Sequence, residues 1–215
     1  MEDEVQRRLP FVTVCMIALN IMIWLVLELL GDTEDGLYMM EHGAAYMPLI
    51  VEEGEYWRLV SCMFLHFGAE HLMNNMLILG LTGIRLEFTM GSVRFGILYL
   101  LSGVCGSLLS LAGDIRSADS VISVSAGASG AVFGVIGGLL AWAVLHKGKV
   151  EGLTTKGLFG MAALSLYFGF TSGGVDNLGH IGGLVGGFVL GCIFSLESKM
   201  RKHIDFREKN SYTIE

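Results

Sequence analysis

Two side chains in this sequence have the chemistry of a nucleophile and its general base. Ser129 lies in the small-residue stretch 127–130, where a long apolar segment begins. His180 lies in the glycine-rich stretch 179–183, at the head of another apolar segment. Polar groups in such places cost free energy unless they have partners, so both are functional candidates. A serine beside a histidine suggests an activated nucleophile with its base.

The composition indicates that these two residues lie in a membrane protein. Of 215 residues, 53% are hydrophobic and only 16% are charged, whereas soluble domains have about a quarter charged. The apolar residues come in blocks. The first block, Phe11 to Leu30, has no small-residue cleavage site after it, so we expect a retained span and not a signal peptide.

Charge and cysteine content argue against several other classes of protein. The formal net charge is −7, and no basic patch is apparent, so nucleic acid is not expected as a partner. The four cysteines are scattered, without ligand spacing, so we predict neither a disulfide framework nor a zinc site. No metal and no cofactor is expected.

Six apolar segments are close to the length that a helix needs to cross the hydrocarbon layer. The predicted fold class is therefore all-α, a polytopic six-transmembrane-helix bundle. The predicted segments are 10–30, 71–86, 93–112, 129–145, 158–171 and 178–195.

The distribution of basic residues predicts the orientation of these segments. With six spans, all 14 Lys and Arg residues except Arg58 and Arg116 fall on one side. The positive-inside rule then places both termini in the cytoplasm. We expect a cytoplasmic segment 1–9, a membrane domain 10–196 and a cytoplasmic tail 197–215, whose first part extends a helix at the interface.

The first outer connection, about 31–70, is long and carries both acidic and aromatic residues. We expect part of it to form a lid or platform at the membrane interface, where aromatic residues are favoured. The alternative is an irregular loop.

Four polar residues are predicted to share one level within the membrane. His71, Asn75, Ser129 and His180 lie near the outer ends of the second, fourth and sixth spans. At about 1.5 Å rise per residue, His71, Ser129 and His180 lie roughly 24–25 Å from the cytoplasmic boundary of a layer about 30 Å thick, with Asn75 just below. Their convergence favours a site over separate structural roles.

Glycines at intervals of four provide a way to bring two of these residues together. Small residues at this spacing let helix backbones approach closely in lipid, so packing of the two rows would place Ser129 beside His180. The rows are Gly130, Gly134 and Gly138 on the fourth span, and Gly179, Gly183, Gly187 and Gly191 on the sixth.

The predicted chemistry is acyl transfer by a dyad. His180 would take the Ser129 proton and return it to the leaving amine. We expect no aspartate or glutamate to precede His180 or to lie on another span at this depth, except Glu28 near the outer end of the first span, so no third triad member is assigned. The developing oxyanion needs donors. The candidates are the backbone N–H groups of Ala128 and Ser129, and the side chains of Asn75 and His71. His66 is expected to bond loop backbone.

In this order, these residues resemble the rhomboid intramembrane serine proteases. The resemblance covers 57–191 and rests on five motifs: Trp57-Arg58; His66, His71 and Asn75 as His-x4-His-x3-Asn; Gly83-x3-Glu87-x3-Gly91; Gly127-Ala128-Ser129-Gly130; and His180 and Gly183 within Gly-His-Ile-Gly-Gly.

The resemblance implies an endopeptidase that cleaves single-span or multi-span membrane proteins within or near their membrane segments. Ser129 would be the nucleophile and His180 the base, with His71, Asn75 and the Ser129 N–H in the oxyanion hole. Trp57 and Arg58 would hold the first loop, and Arg58 and Glu87 would be structural. Phe133 stands where some members carry a tyrosine that stacks on the histidine. The active site would open to the external or periplasmic side of a bacterial cell membrane.

Two alternatives remain open from the sequence. A catalytically inactive rhomboid-like protein would bind membrane proteins without cleaving them, and would not need both Ser129 and His180. A small transporter would also explain polar residues within the membrane, but it needs no nucleophile between glycines. The oligomeric state is not predicted.

Overall fold

The chain folds into a bundle of helices. This computed structural model describes residues 9–117, 123–146, 149–150, 152–171 and 174–211, with only the main chain at 149 and 201–211. Six long helices correspond to the six predicted segments. They are α1 (Phe11–Leu30), α5 (Gly68–Met90), α6 (Ser92–Arg116), α7 (Ser129–Leu145), α8 (Thr155–Thr171) and α9 (Asn177–Ser211).

Three helices are long and apolar enough to cross a membrane by length and composition. They are α1, α6 and the part of α9 from Asn177 to Met200, and α7 is a shorter apolar helix. Helix α9 continues beyond the predicted apolar segment 178–195, as one helix to Ser211.

The first connection is folded, as predicted for a platform. It contains the short helices α2 (Gly36–Glu41), α3 (Met47–Val51) and α4 (Arg58–Ser61) and a 3-10 turn at Cys62–Phe64. Its strand β1 (Ala45–Tyr46) pairs antiparallel with β2 (Val124–Ser125), just before α7. A second hairpin joins β3 (Lys149–Val150) and β4 (Leu153–Thr154). We call the folded segment 31–67 the platform.

Arg58 holds the platform together, as the resemblance implied. Its guanidinium donates to the carbonyl oxygens of Met40 at 2.6 Å and Ala44 at 2.9 Å, and it pairs with Glu55. The cation also lies 4.7 Å from the centre of the Trp57 ring. Because Arg58 is buried, these partners replace the water that its charge loses.

Glu87 on α5 accepts hydrogen bonds from the first turn of α1. The N-cap of α1, Pro10, offers no side-chain hydrogen bond, so the first N–H groups of the helix need other acceptors. The Glu87 carboxylate accepts from the Val12 and Thr13 amides at 3.0 and 2.8 Å, and from the hydroxyls of Thr13 and Ser92. This gives Glu87 the structural role that was predicted for it.

Helix α7 is the centre of the bundle. Its residues from Ala131 to Ala143 are buried on every side, as expected for a helix that is apolar all round. Its closest neighbour is α9, and the predicted glycine rows form the contact. A Cβ at Gly183 or Gly187 would overlap the carbonyl oxygen of Gly130 or Gly134, respectively, and one at Gly191 would lie 2.9 Å from the Cα of Gly138.

The stretch that leads into α7 is held by the platform. The Gly127 amide donates to the Cys62 carbonyl at 2.9 Å, and the Ala128 amide donates to His66 Nε2 at 3.3 Å. His66 is fully buried. Burial, with a smaller effect of nearby His71, lowers the pKa of His66 from its ordinary 6.5 to about 3. The neutral ring can therefore accept this hydrogen bond at neutral pH.

The glycine contact predicts a stability effect for Gly187→Ala. The added methyl would press on the Gly134 backbone, so we expect a loss of about 1–3 kcal/mol from overpacking, measured as a lower unfolding temperature in detergent. Gly160→Ala on α8 is the matched control, because nothing lies within 4 Å of its Cβ position. Equal unfolding temperatures for the two variants would contradict the close contact.

The buried His66 predicts an acid-sensitive fold. Between pH 6.5 and about 3 the unfolded imidazole binds a proton that the folded one does not, so stability falls as pH falls through this window, by up to about tenfold in the folding equilibrium per unit. Thermal unfolding from pH 7 to 4 should show a shallower dependence for His66→Gln. The control is His42→Gln, at an exposed histidine, which should keep the wild-type dependence of the unfolding temperature on pH. If His66→Gln and His42→Gln showed the same pH dependence, the role of His66 would be refuted.

Candidate functional site

The predicted polar residues converge on one cavity. A space of about 1200 Å³ lies between the platform and the nearest ends of the long helices α5 to α9. Ser129, His180, His71 and Asn75 are all on its wall. The sequence prediction that they share one level is consistent with this arrangement.

Ser129 is the first residue of α7 and is half-buried. Its hydroxyl makes no hydrogen bond to any residue that the structure describes, and neither does its backbone amide. A free N–H at a helix start carries a partial positive charge. The serine therefore offers a hydroxyl and a free donor at the same point of the cavity.

His180 lies in the first turn of α9, and its side chain is buried. Its ring stacks on Phe133 with centroids 4.3 Å apart and an interplanar angle of 14°. Phe133 thus makes a ring contact with His180 although it has no hydroxyl. Nδ1 is buried and has no partner in the described part of the chain. Packing, and not a hydrogen bond, fixes the plane of the ring.

The glycine contact brings the two segments together. A Cβ at Gly130, next to Ser129, would lie 3.5 Å from the carbonyl oxygen of Gly179, next to His180. Between described atoms, however, no hydrogen bond joins the Ser129 hydroxyl to the His180 ring. Catalytic hydrogen bonds are often long before substrate binds and tighten in the complex, so the pair fits a nucleophile and base at rest.

His71 lies beside the stretch that leads into Ser129, and Asn75 is bonded to the His71 backbone. A Cβ at Gly127 would come within 2.8 Å of the His71 ring and 3.7 Å of the Ser129 hydroxyl oxygen, so both side chains flank Gly127. Gly127 has φ +144°, a conformation that favours glycine. Asn75 is buried and donates to the His71 carbonyl at 3.1 Å, which leaves one amide proton for a ligand.

The assignment of Ala128 to the oxyanion hole was wrong in this structure. Its amide already donates to His66 Nε2, so it is not a free donor. The same bond confirms that His66 binds loop backbone. Of the two backbone donors that the sequence suggested, only Ser129 is available.

Sequence reasoning also missed Asp176. The expectation that no acidic residue precedes His180 was wrong, because Asp176 comes four residues earlier and is on the cavity wall. Its spacing before His180 was a signal that could have found it. Glu28 is engaged elsewhere, accepting from the Thr33 hydroxyl.

Cys62 is a cysteine thiol on the same wall. Burial raises the pKa of its thiol to about 11, although a hydrogen bond with Ser107 partly opposes the shift. Since the thiolate is the reactive form, this shift lowers the reactivity of Cys62 at neutral pH. Among the described residues, no group of three or more His, Cys, Asp and Glu side chains is placed to hold a metal ion.

Three known proteins to which this chain is similar all have rhomboid in their names. RHOMBOID-like protein 4 of Arabidopsis thaliana is 43% identical over 170 residues, covering 77% of this chain and 40% of that protein. Rhomboid protease GluP of Bacillus subtilis is 36% identical over 191 residues, covering 89% of this chain and 36% of that protein. RHOMBOID-like protein 5 of Arabidopsis thaliana is 43% identical over 152 residues, covering 68% of this chain and 47% of that protein.

The chain thus spans less than half the length of each of these relatives. The Rhomboid domain family matches residues 53–197. This match includes the platform from Arg58 onward and all the cavity residues named above. The chain belongs to the rhomboid family.

Proposed function

We propose that this protein is an intramembrane serine endopeptidase. The observation that carries the proposal is the pairing, on one cavity wall, of the unbonded Ser129 hydroxyl with the buried, stacked His180 ring. Membership of the rhomboid family supports it, as does the similarity to a Bacillus subtilis protein named a rhomboid protease.

The reaction follows from the chemistry of the two side chains. His180 accepts the Ser129 proton while the serine oxygen bonds to the carbonyl carbon of the scissile peptide. The resulting tetrahedral species collapses as His180 gives the proton to the leaving amine, and the C–N bond breaks. Water then loses a proton to His180 as its oxygen bonds to the acyl carbon, and the bond between that carbon and Ser129 Oγ breaks as His180 returns the proton to Oγ.

Three donors would stabilise the oxyanion that forms in each step. The Ser129 amide is free at the start of α7, where the helix dipole also favours negative charge. The His71 ring approaches the serine from the side of Gly127, and the Asn75 amide lines the same cavity. Each such donor is worth about 2.7–4 kcal/mol by analogy with a soluble protease.

The substrates in this proposal are single-span or multi-span membrane proteins. A transmembrane helix has its backbone fully hydrogen-bonded, so the scissile segment must unwind before its carbonyl can reach Ser129. Residues from the platform, such as Tyr46 and Met47, and residues from α8, such as Phe168, line the same cavity. They would contact the unwound segment.

The orientation is part of the proposal. The positive-inside rule places both termini in the cytoplasm, so the cavity would open to the opposite, external or periplasmic, side. The relatives named above come from a plant and a bacterium, so the bacterial cell membrane remains a prediction.

The direct test is cleavage of a transmembrane reporter by purified protein in lipid nanodiscs. We expect Ser129→Ala and His180→Ala to lower turnover by about 10³-fold or more, while Ser117→Ala, at an exposed serine, keeps it. A fluorophosphonate should label Ser129 and no other serine. Cleavage that survives Ser129→Ala would exclude this nucleophile. Absence of both cleavage and labelling in the wild type would favour the inactive membrane-protein binder.

The oxyanion assignment has its own test. Asn75→Ala and His71→Ala should each lower kcat by about 10²-fold with little change in KM, because the donors act mainly on the developing charge. Ala128→Gly, which keeps the amide bonded to His66, should leave kcat near the wild-type value. An Asn75→Ala enzyme with a normal kcat would remove Asn75 from the hole.

A further inference from the structure

We propose that Asp176 is a positioning residue that holds His180 in place relative to Ser129, and this role rests on the proposed protease function. Asp176 is the last residue before α9. Three of its oxygen atoms accept hydrogen bonds, and together they join the segment of the base to the segment of the nucleophile.

The first two bonds fix the turn that carries His180. Asp176 Oδ1 accepts the Gly179 amide at 2.8 Å, and its main-chain oxygen accepts the His180 amide at 3.1 Å. This is an N-cap, which satisfies amides that have no partner within the helix. Without it, the first turn of α9 would be free to fray, and His180 is in that turn.

The third bond reaches the strand that leads to the serine. Asp176 Oδ2 accepts the Ser125 hydroxyl at 3.2 Å. Ser125 lies four residues before Ser129 and pairs with Ala45 of the platform. One carboxylate therefore spans two segments that are 51 residues apart in sequence.

Gly179 shows how closely this carboxylate is enclosed. A Cβ at Gly179 would come within 2.5 Å of Asp176 Oδ2, while the Gly179 carbonyl oxygen lies 2.7 Å from a Cβ position at Gly106 on α6. The first turn of α9 is thus packed between the carboxylate and α6. Contacts with the carboxylate on one side and with α6 on the other therefore fix the position of this turn.

Asp176 holds His180 through backbone hydrogen bonds and not through a hydrogen bond to the ring. Between described atoms, no hydrogen bond joins its carboxylate to the His180 imidazole, so it is not a third member of a triad. The glycine rows hold α9 against α7 along the length of the two helices, but His180 lies at the end of that contact. The hydrogen bond between Asp176 and Ser125 joins the two segments at this end as well, where Ser129 and His180 lie.

The experiment measures kcat and KM for reporter cleavage in nanodiscs together with the unfolding temperature. Asp176→Ala removes the cap and the link, whereas Ser125→Ala removes the link alone and so tests the proposal even if the first variant folds poorly. The matched control is Asp35→Ala, which removes the cap of platform helix α2 away from the cavity.

We expect Asp176→Ala to lower kcat by about tenfold or more with KM changed by less than about twofold, since a displacement near 1 Å can cost as much as 10²-fold. Ser125→Ala should lower kcat by about threefold or more. Since both changes break the same link, the double variant should be no slower than Asp176→Ala alone. Asp35→Ala should lower only the unfolding temperature.

Two outcomes would overturn the role of Asp176. One is a normal kcat in Ser125→Ala and Asp176→Ala, and the other is a multiplicative loss in the double variant, which would show that the two side chains act independently. Cleavage by Ser129→Ala would instead refute the proposed function. The failure of one proposal is therefore distinguishable from the failure of the other.

Discussion

The close approach of α7 and α9 is the contact on which the rest of the structure depends. In a bilayer, helices gain little from hiding apolar surface from each other, so packing at short range has to supply the attraction. Here the backbones meet where glycine faces glycine, as at Gly183 with Gly130 and Gly187 with Gly134. The outermost members of the two rows adjoin Ser129 and His180. The contact that packs the bundle is thus also the one that brings these two residues to one wall.

Around this wall, several backbone amides have hydrogen-bond acceptors, whereas some side-chain groups have no partner. The amides of Gly127 and Ala128 have acceptors in the platform, and the amides of Gly179 and His180 have them in Asp176. Leaving a buried polar group unbonded costs about 1–3 kcal/mol. Within the described part of the chain, the Ser129 hydroxyl makes no hydrogen bond and His180 Nδ1 is buried without a partner. His66 Nδ1 and Asn177 Oδ1 are also buried without a partner among the described residues, so several groups around this wall have hydrogen-bonding capacity left for substrate or water.

The sequence predicted the parts of this arrangement that have a regular pattern. Apolar segments of the right length located the six long helices, and glycines four apart located the contact between α7 and α9. Polar residues inside those segments located Ser129, His180, His71 and Asn75. Each of these signals is local, because a helix brings residues three or four apart onto one face.

The features that the sequence did not predict arise from long-range contacts. Strands of two residues have no periodicity to detect, yet the pairing of Ala45 with Ser125 joins the platform to the stretch before α7. The bond from the Ala128 amide to His66 spans 62 residues, and it removed a donor that helix geometry alone had assigned to the oxyanion hole. The role of Asp176 likewise depends on Ser125, 51 residues away.

The most direct measurement of the central claim is an experimental structure of the protein after reaction with a fluorophosphonate in a lipid environment. The account predicts a phosphorus bonded to Ser129 Oγ, a phosphoryl oxygen within about 3 Å of the Ser129 amide, and a His180 nitrogen within about 3.2 Å of the probe or of Oγ. A label on another residue, or a His180 ring turned away from Ser129 across an intact α7–α9 contact, would contradict it.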